Sequence, residues 1–184
     1  TRVALKKLIL QDELDGITFR KEGKIIDSPI KKYIENLDDL PFPARDLVPI
    51  EKYSKFLTSR EKPATTLITS RGCPFRCIYC SKPIFGNIPR ARSPENILSE
   101  IEHLKEKYKI KEIIFYDDSF TLNRERIIKL CQLIIEKKLN ISWKCETRVN
   151  LVDEELLQLM KKAGCYLIGY GIESGNQKNL NLLS

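Results

Sequence analysis

The chain has 184 residues, and 32 lysines and arginines against 25 aspartates and glutamates give a formal net charge of +7. That length suits one ordinary domain or part of a larger protein, and a hydrophobic content of 42% is enough for a packed core. No run of about twenty apolar residues exists to cross a bilayer, and the N-terminus lacks a signal-peptide profile. The basic excess invites a nucleic-acid surface, yet lysines and glutamates interleave, as over residues 102–111. That is the pattern of solvated helix faces. Three of the six cysteines are tightly clustered with no secretion signal ahead of them, which fits a reducing cytoplasm better than a disulfide framework. The first residue is Thr1 and the last is Ser184, directly after Leu182-Leu183, which reads as a segment of a longer chain.

Residues 1–30 start with the apolar pieces Val3-Ala4-Leu5 and Leu8-Ile9-Leu10 and continue into two β-prone runs, between residues 16 and 26, around Lys21-Glu22-Gly23. The second part predicts a hairpin, and the whole is too small to bury a core, so it reads as the end of an upstream domain. Residues 31–63 are punctuated by Pro41, Pro43, Pro49 and Pro63. Proline fixes φ and withholds an N–H, so this stretch is expected to be a stiff linker packed on the surface of the next domain.

From residue 64 to 184 the pattern becomes regular. Thr65–Thr69, Ile113–Tyr116, Ile141–Cys145 and Tyr166–Ile172 read as strands. Helices are expected between them. One begins at Ser93-Pro94 and turns Ile97, Ile101, Leu104 and Tyr108 to one side. The second starts near Asn123, and the third starts near Asp153 and stops at Gly164. Strand and helix alternate four times at roughly 30 residues per unit, the signature of βαβ units and a parallel sheet.

Between the first strand and the first helix lies Arg71-Gly72-Cys73-Pro74-Phe75-Arg76-Cys77-Ile78-Tyr79-Cys80. Three thiolates on so short a loop can hold three corners of a cubane iron–sulfur cluster and leave one iron without a protein ligand. A zinc site is the alternative, although zinc knuckles usually bring four ligands as two CxxC-like pairs. The only histidine, His103, lies on a helix far from the loop and reads as a surface residue. Chemistry in parallel α/β folds gathers at the carboxyl ends of strands. Here those ends run into the cysteine loop, Asp117-Asp118-Ser119, Glu146-Thr147-Arg148 and Glu173-Ser174-Gly175. Cys131, Cys145, Cys165 and Trp143 sit in apolar patterns and are expected in the core.

Cys73, Cys77 and Cys80, with Tyr79 before the last, resemble the cluster loop of radical S-adenosylmethionine (SAM) enzymes. Three stretches resemble the subgroup that carries a cobalamin-binding domain: residues 37–46, residues 71–75, and Gly171-Ile172-Glu173-Ser174-Gly175. The resemblance implies a partial TIM-like (β/α) barrel, residues 64–184 being its first four β/α units, with residues 1–30 closing an upstream α/β cobalamin-binding domain. It implies a 4Fe–4S cluster on the three cysteines, whose open iron binds SAM for reductive cleavage to a 5′-deoxyadenosyl radical.

It also implies roles for the other residues. Tyr79 would lie near the adenine, and Asp117 or Asp118 would receive the α-amino group. Glu146 would sit at the amino-acid or sulfonium region with Arg148 as carboxylate partner, unless those two simply pair with each other. Glu173 would meet the ribose hydroxyls, with Gly169, Gly171 and Gly175 allowing close approach. The implied partners are a small-molecule substrate, an electron donor such as flavodoxin or ferredoxin, and cobalamin on the upstream domain. The reaction would be methyl transfer or a cyclase-like step, with the segment alone expected to be inactive. Two further readings remain at this point. A tRNA methylthiotransferase would suit the charge but usually has further N-terminal cysteines, and a non-catalytic iron–sulfur or zinc module would leave the acids at the strand ends unexplained.

Overall fold

The structure, a computed structural model, describes residues 16–28, 32–53, 59–81 and 85–183. The chain divides into two compact units, Thr1–Glu35 and Asn36–Ser184. In the first, β1 (Ile17–Lys21) and β2 (Lys24–Ser28) form the expected antiparallel hairpin, with Lys21 opposite Lys24. Glu22 and Gly23 make its two-residue turn at φ of 50° and 79°, the doubly positive backbone whose twist matches paired strands. The apolar pieces at residues 3–5 and 8–10 lie outside the described residues.

After a one-turn helix at Ile50–Tyr53, the strands and α-helices of the second unit run in the order β3 (Ala64–Leu67), β4 (Ser70–Arg71), β5 (Arg90–Ala91), α1 (Pro94–Tyr108), β6 (Glu112–Phe115), α2 (Arg124–Glu136), β7 (Ser142–Thr147), α3 (Glu154–Lys162), β8 (Cys165–Tyr170) and α4 (Gln177–Leu183). Strands β3, β6, β7 and β8 form one parallel sheet in that spatial order. Each is followed by a helix, so all four carboxyl ends emerge on the same side. Side-chain caps set where three of the helices begin. Ser93 Oγ accepts from Asn96 N at 3.1 Å, Asn123 Oδ1 from Arg126 N at 3.0 Å, and Asp153 Oδ1 from Leu156 N at 2.8 Å.

The apolar stripes of α1, α2 and α3 pack on the sheet through residues such as Ile97, Ile101, Leu104, Ile127, Leu130 and Met160. Burying each such side chain stabilises the fold by about 1.5–3 kcal/mol. Phe115, Phe120 and Trp143 form an aromatic centre with ring centroids 4.5–5.5 Å apart, and Trp143 Nε1 donates to Ala163 O at 2.8 Å. Cys131, Cys145 and Cys165 are buried in the same core. Burial pushes the Cys131 thiol up to about 12, and hydrogen bonding to Cys165 together with burial raises that of Cys145, so both stay protonated and inert.

Some elements differ from the sequence reading. The fourth strand ends at Tyr170 rather than Ile172, because its partner β7 ends at Thr147 and the ladder closes with the pair Thr147–Tyr170. The β4–β5 ribbon and α4 were not anticipated, since a two-residue ladder and a seven-residue helix are too short to show a period. Among the described residues, no helix is long and apolar enough to cross a membrane.

The proline-punctuated stretch from Asn36 onward belongs to the second unit. Leu37 is buried, and Asp38 Oδ1 accepts from Ser93 N at 2.9 Å. Arg45 reaches Thr66 O at 3.1 Å and shares the fully buried Glu100 of α1 with Arg92. Both guanidinium groups are nearly enclosed, at 10% and 11% exposure. Glu100→Ala therefore leaves two buried cations without their anion. We expect a loss of about 3–5 kcal/mol in denaturant unfolding; a loss under about 1 kcal/mol would show that this stretch does not depend on the triad.

Candidate functional site

The carboxyl ends of the strands are tied together by a buried polar belt. Asp117, just after β6, is 5% exposed. Its Oδ1 accepts from Thr69 N at 2.6 Å and Ser70 N at 3.1 Å, and its Oδ2 accepts from the Thr69 hydroxyl. Arg126, from the first turn of α2, lies 3.6 Å from Asp117 Oδ2 and donates to Thr69 O and Oγ1 at 3.3 and 3.1 Å, and to Phe120 O at 3.3 Å. Burial lowers the Arg126 pKa and the Asp117 charge opposes that shift. Thr147, at the end of β7, completes the belt through Thr121 Oγ1 at 2.6 Å and Ser119 Oγ at 3.3 Å.

The cysteine loop rises from this base. β4 and β5 clasp its two ends, and Arg92 N donates to Thr69 O at 2.9 Å just beyond the ribbon. Gly72 has φ of 86°, and a Cβ there would stand 2.4 Å from Ile88 O, so no other residue allows the two sides of the clasp to approach this closely. Within the loop, Cys80 N donates to Cys77 O at 3.0 Å and Cys73 N to Gly86 O at 3.3 Å, and Ile78 N donates to Leu183 O of α4 at 3.2 Å. Arg148, following β7, places its guanidinium 4.1 Å from the Phe75 ring centroid and donates from Nη1 to Cys77 Sγ at 3.2 Å.

Cys73, Cys77 and Cys80 line one cavity of about 440 Å³ with Tyr79, Asp118, Glu146, Arg148 and Glu173. Eight of the nine residues singled out from sequence are thus brought together. Asp117 is not; it is spent in the belt. Asp118 is exposed, faces the cavity, and accepts from Gly72 N at 3.2 Å, which couples the end of β6 to the loop. Glu146 and Glu173 fold over glycines: a Cβ at Gly169 would meet Glu146 Cγ at 3.1 Å, and one at Gly171 would meet Glu173 Oε1 at 2.8 Å. At Gly175 nothing lies within 4 Å.

Glu173 has φ of 61°, an uncommon backbone for a side-chain-bearing residue. The Tyr79 phenol is pushed up to about 12, by desolvation first and then by side-chain hydrogen bonds to Glu173 and Cys77. Arg148 binds Cys77 and Asn150 Oδ1, the latter at 3.3 Å, and no Glu146–Arg148 ion pair forms among the described residues. Phe75, Thr147 and Tyr170 also line the cavity and were not singled out from sequence. His103 is exposed, as expected. Among the described residues, no three His, Cys, Asp or Glu side chains gather closely enough to hold a single metal ion. Cubane ligands each serve a separate iron and need not converge on one point. Three thiols beside a fixed cation are suitable donors for such a cluster.

Residues 67–184 match the sequence model of the radical SAM superfamily. The chain belongs to that superfamily. It is 38% identical over 169 residues to an uncharacterised methyltransferase of Pyrococcus horikoshii, covering 91% of this chain and 36% of that protein. It is 32% identical over 174 residues to the anaerobic magnesium-protoporphyrin IX monomethyl ester cyclase of Rubrivivax gelatinosus, covering 93% and 31%. The chain thus spans about a third of the length of these curated relatives. In fold it is similar to the radical SAM methyltransferase TsrM of Kitasatospora setae, solved with tryptophan and a SAM analogue bound, at a TM-score of 0.59 and 21% identity over 64% of this chain and 23% of that one. A second TsrM structure, with cobalamin and a [4Fe–4S] cluster bound, gives a TM-score of 0.54 and 22% identity over 58% and 22%.

The two adjacent aspartates should separate in a stability measurement. Asp117→Asn presents amide hydrogens to donors that now meet a carboxylate, and should cost about 3 kcal/mol in chemical unfolding. Asp118→Asn should stay within about 0.5 kcal/mol of the parent. Equal losses would mean that the belt does not anchor the site.

Proposed function

We propose that Cys73, Cys77 and Cys80 hold a 4Fe–4S cluster in the cavity and that the remaining lining residues bind SAM beside it. The observation that carries this reading is the convergence of three thiols, three carboxylates and one guanidinium on a single cavity at the carboxyl ends of a parallel sheet. When bound, the cluster supplies the electron that cleaves SAM to methionine and a 5′-deoxyadenosyl radical.

The chain's own residues bind and orient. Asp118 receives the α-ammonium, being the aspartate that faces the cavity. Arg148 takes the carboxylate, since its bonds to Cys77 and Asn150 leave further N–H donors of the fork available. Glu146 lies toward the sulfonium, Glu173 accepts from the ribose hydroxyls, and Tyr79 presents its half-exposed ring to the adenine. Asp117 acts indirectly, by fixing Thr69 and Ser70 below the loop. The volume falls in the range of small-molecule sites.

The sheet serves as the first four units of a (β/α) barrel. The full-length protein acts on a small molecule by methyl transfer or a cyclase-like reaction, with cobalamin held by a domain that residues 1–30 help to close. The names of the relatives support this reading, and reductant reaches the cluster from a flavodoxin- or ferredoxin-like donor.

Anaerobic reconstitution of the full-length protein with iron and sulfide should give about four irons per chain. Cys77→Ala should lose the cluster's absorbance and its EPR signal after reduction. With SAM and reductant, the parent should release 5′-deoxyadenosine. A Cys77→Ala protein that reconstitutes fully would overturn the ligand assignment, and a cluster that yields no 5′-deoxyadenosine would leave a binding module.

A further inference from the structure

The guanidinium of Arg148 is held in place before any ligand arrives. Arg148 directly follows β7 and caps the short turn Val149–Leu151 with extended backbone at φ −86° and ψ 145°, and its carbonyl accepts from Leu151 N at 3.1 Å. Asn150 Oδ1 receives Nε at 3.3 Å, and the face of Phe75 lies 4.1 Å from the guanidinium carbon. Phe75 stands midway between Cys73 and Cys77 in sequence, so the aromatic ring that seats the cation belongs to the cysteine loop itself. With the planar group held by Asn150 and Phe75, Nη1 points at Cys77 Sγ at 3.2 Å. An arginine carries its charge at every accessible pH, and a fork fixed in advance loses little entropy in making this bond.

We propose that Arg148 tunes the reduction potential of the cluster through Cys77. This rests on the reading that Cys77 is a cluster ligand. Reduction adds one negative charge to the cluster and its thiolates, and a cation in hydrogen-bond contact with one of those sulfurs stabilises the reduced form more than the oxidised form. The potential therefore rises. Hydrogen bonds to sulfur and local charge are among the main influences on iron–sulfur potentials. Arg148 is on this account a positioning residue toward the electron as well as a partner for the ligand's carboxylate.

The test is an EPR-monitored redox titration of the reconstituted full-length protein in the absence of SAM, so that carboxylate binding plays no part. Arg148→Met should shift the midpoint to more negative potential. The reduced-to-oxidised ratio at a fixed potential should fall about tenfold, equivalent to about 59 mV for one electron. Arg148→Lys keeps the charge but loses the fork and the stacking, and should fall between the two. Phe75→Leu leaves the arginine but removes its seat, and should shift in the same direction by less. Full clusters with parental midpoints in Arg148→Met and Phe75→Leu would overturn the proposal. If Arg148→Met takes up no cluster, the Lys and Leu variants decide by the same criterion. A parent protein that forms no cluster would instead remove the ligand assignment on which the proposal stands.

Discussion

The site depends on one buried carboxylate. Asp117 sits where β3 and β6 end, and it accepts from two backbone N–H groups and a hydroxyl while Arg126 faces its second oxygen. A buried carboxylate is costly unless its oxygens are satisfied, and here they are satisfied by the residues that open the cysteine loop. The charge that would otherwise destabilise the core therefore fixes the direction in which the chain leaves β3. Every later feature of the site inherits that direction.

From this base the loop is positioned by backbone contacts more than by its own side chains. The β4–β5 ribbon closes its ends, Gly72 admits the tight crossing beside Ile88, and Asp118 holds Gly72 N from the neighbouring strand end. The three cysteines are thereby brought to the lining of one cavity. A buried carboxylate needs its lone pairs filled, whereas one that faces a cavity can keep them for water or a ligand. Asp117 and Asp118 show the two cases on adjacent residues, one enclosed and engaged, the other exposed to the cavity.

Much of this architecture was legible in the sequence. Apolar periodicity located the four strands and three of the helices, and Ser93, Asn123 and Asp153 marked the helix starts because their side chains satisfy N–H groups that the helix cannot. The spacing of Cys73, Cys77 and Cys80 and the acids at the strand ends pointed to residues that, Asp117 apart, line one cavity. The belt was not legible. Arg126 lies at the edge of the face formed by Ile127, Leu130 and Ile134, and a charged residue there reads as solvated until its partner is known. Its partners Thr69 and Asp117 are distant in sequence, as Arg45 is from Glu100 and Tyr166 is from Glu112. The division of labour between Asp117 and Asp118 had a usable signal: adjacent residues on a nearly extended chain point opposite ways, so only one could face the cavity.

The charge of the cavity narrows what it can bind. Asp118, Glu146 and Glu173 line it together with the three thiols, and Arg148 is the only basic residue among the described lining residues. A polyanionic ligand such as a nucleoside triphosphate would meet several carboxylates and one guanidinium, an arrangement that repels it. A zwitterion that brings an ammonium and a second cationic centre, with a single carboxylate, meets the opposite balance. SAM has that composition, with its sulfonium as the second cation. The same arithmetic explains why the one guanidinium is clamped on Phe75 rather than left on a mobile stem. An arginine left free in this cavity could pair with the carboxylates that line it. Held against the aromatic ring and the Cys77 sulfur, it leaves those carboxylates available. The Phe75–Arg148 contact thus fixes the cavity's one guanidinium beside the Cys77 sulfur, through a ring placed between two of the cysteines.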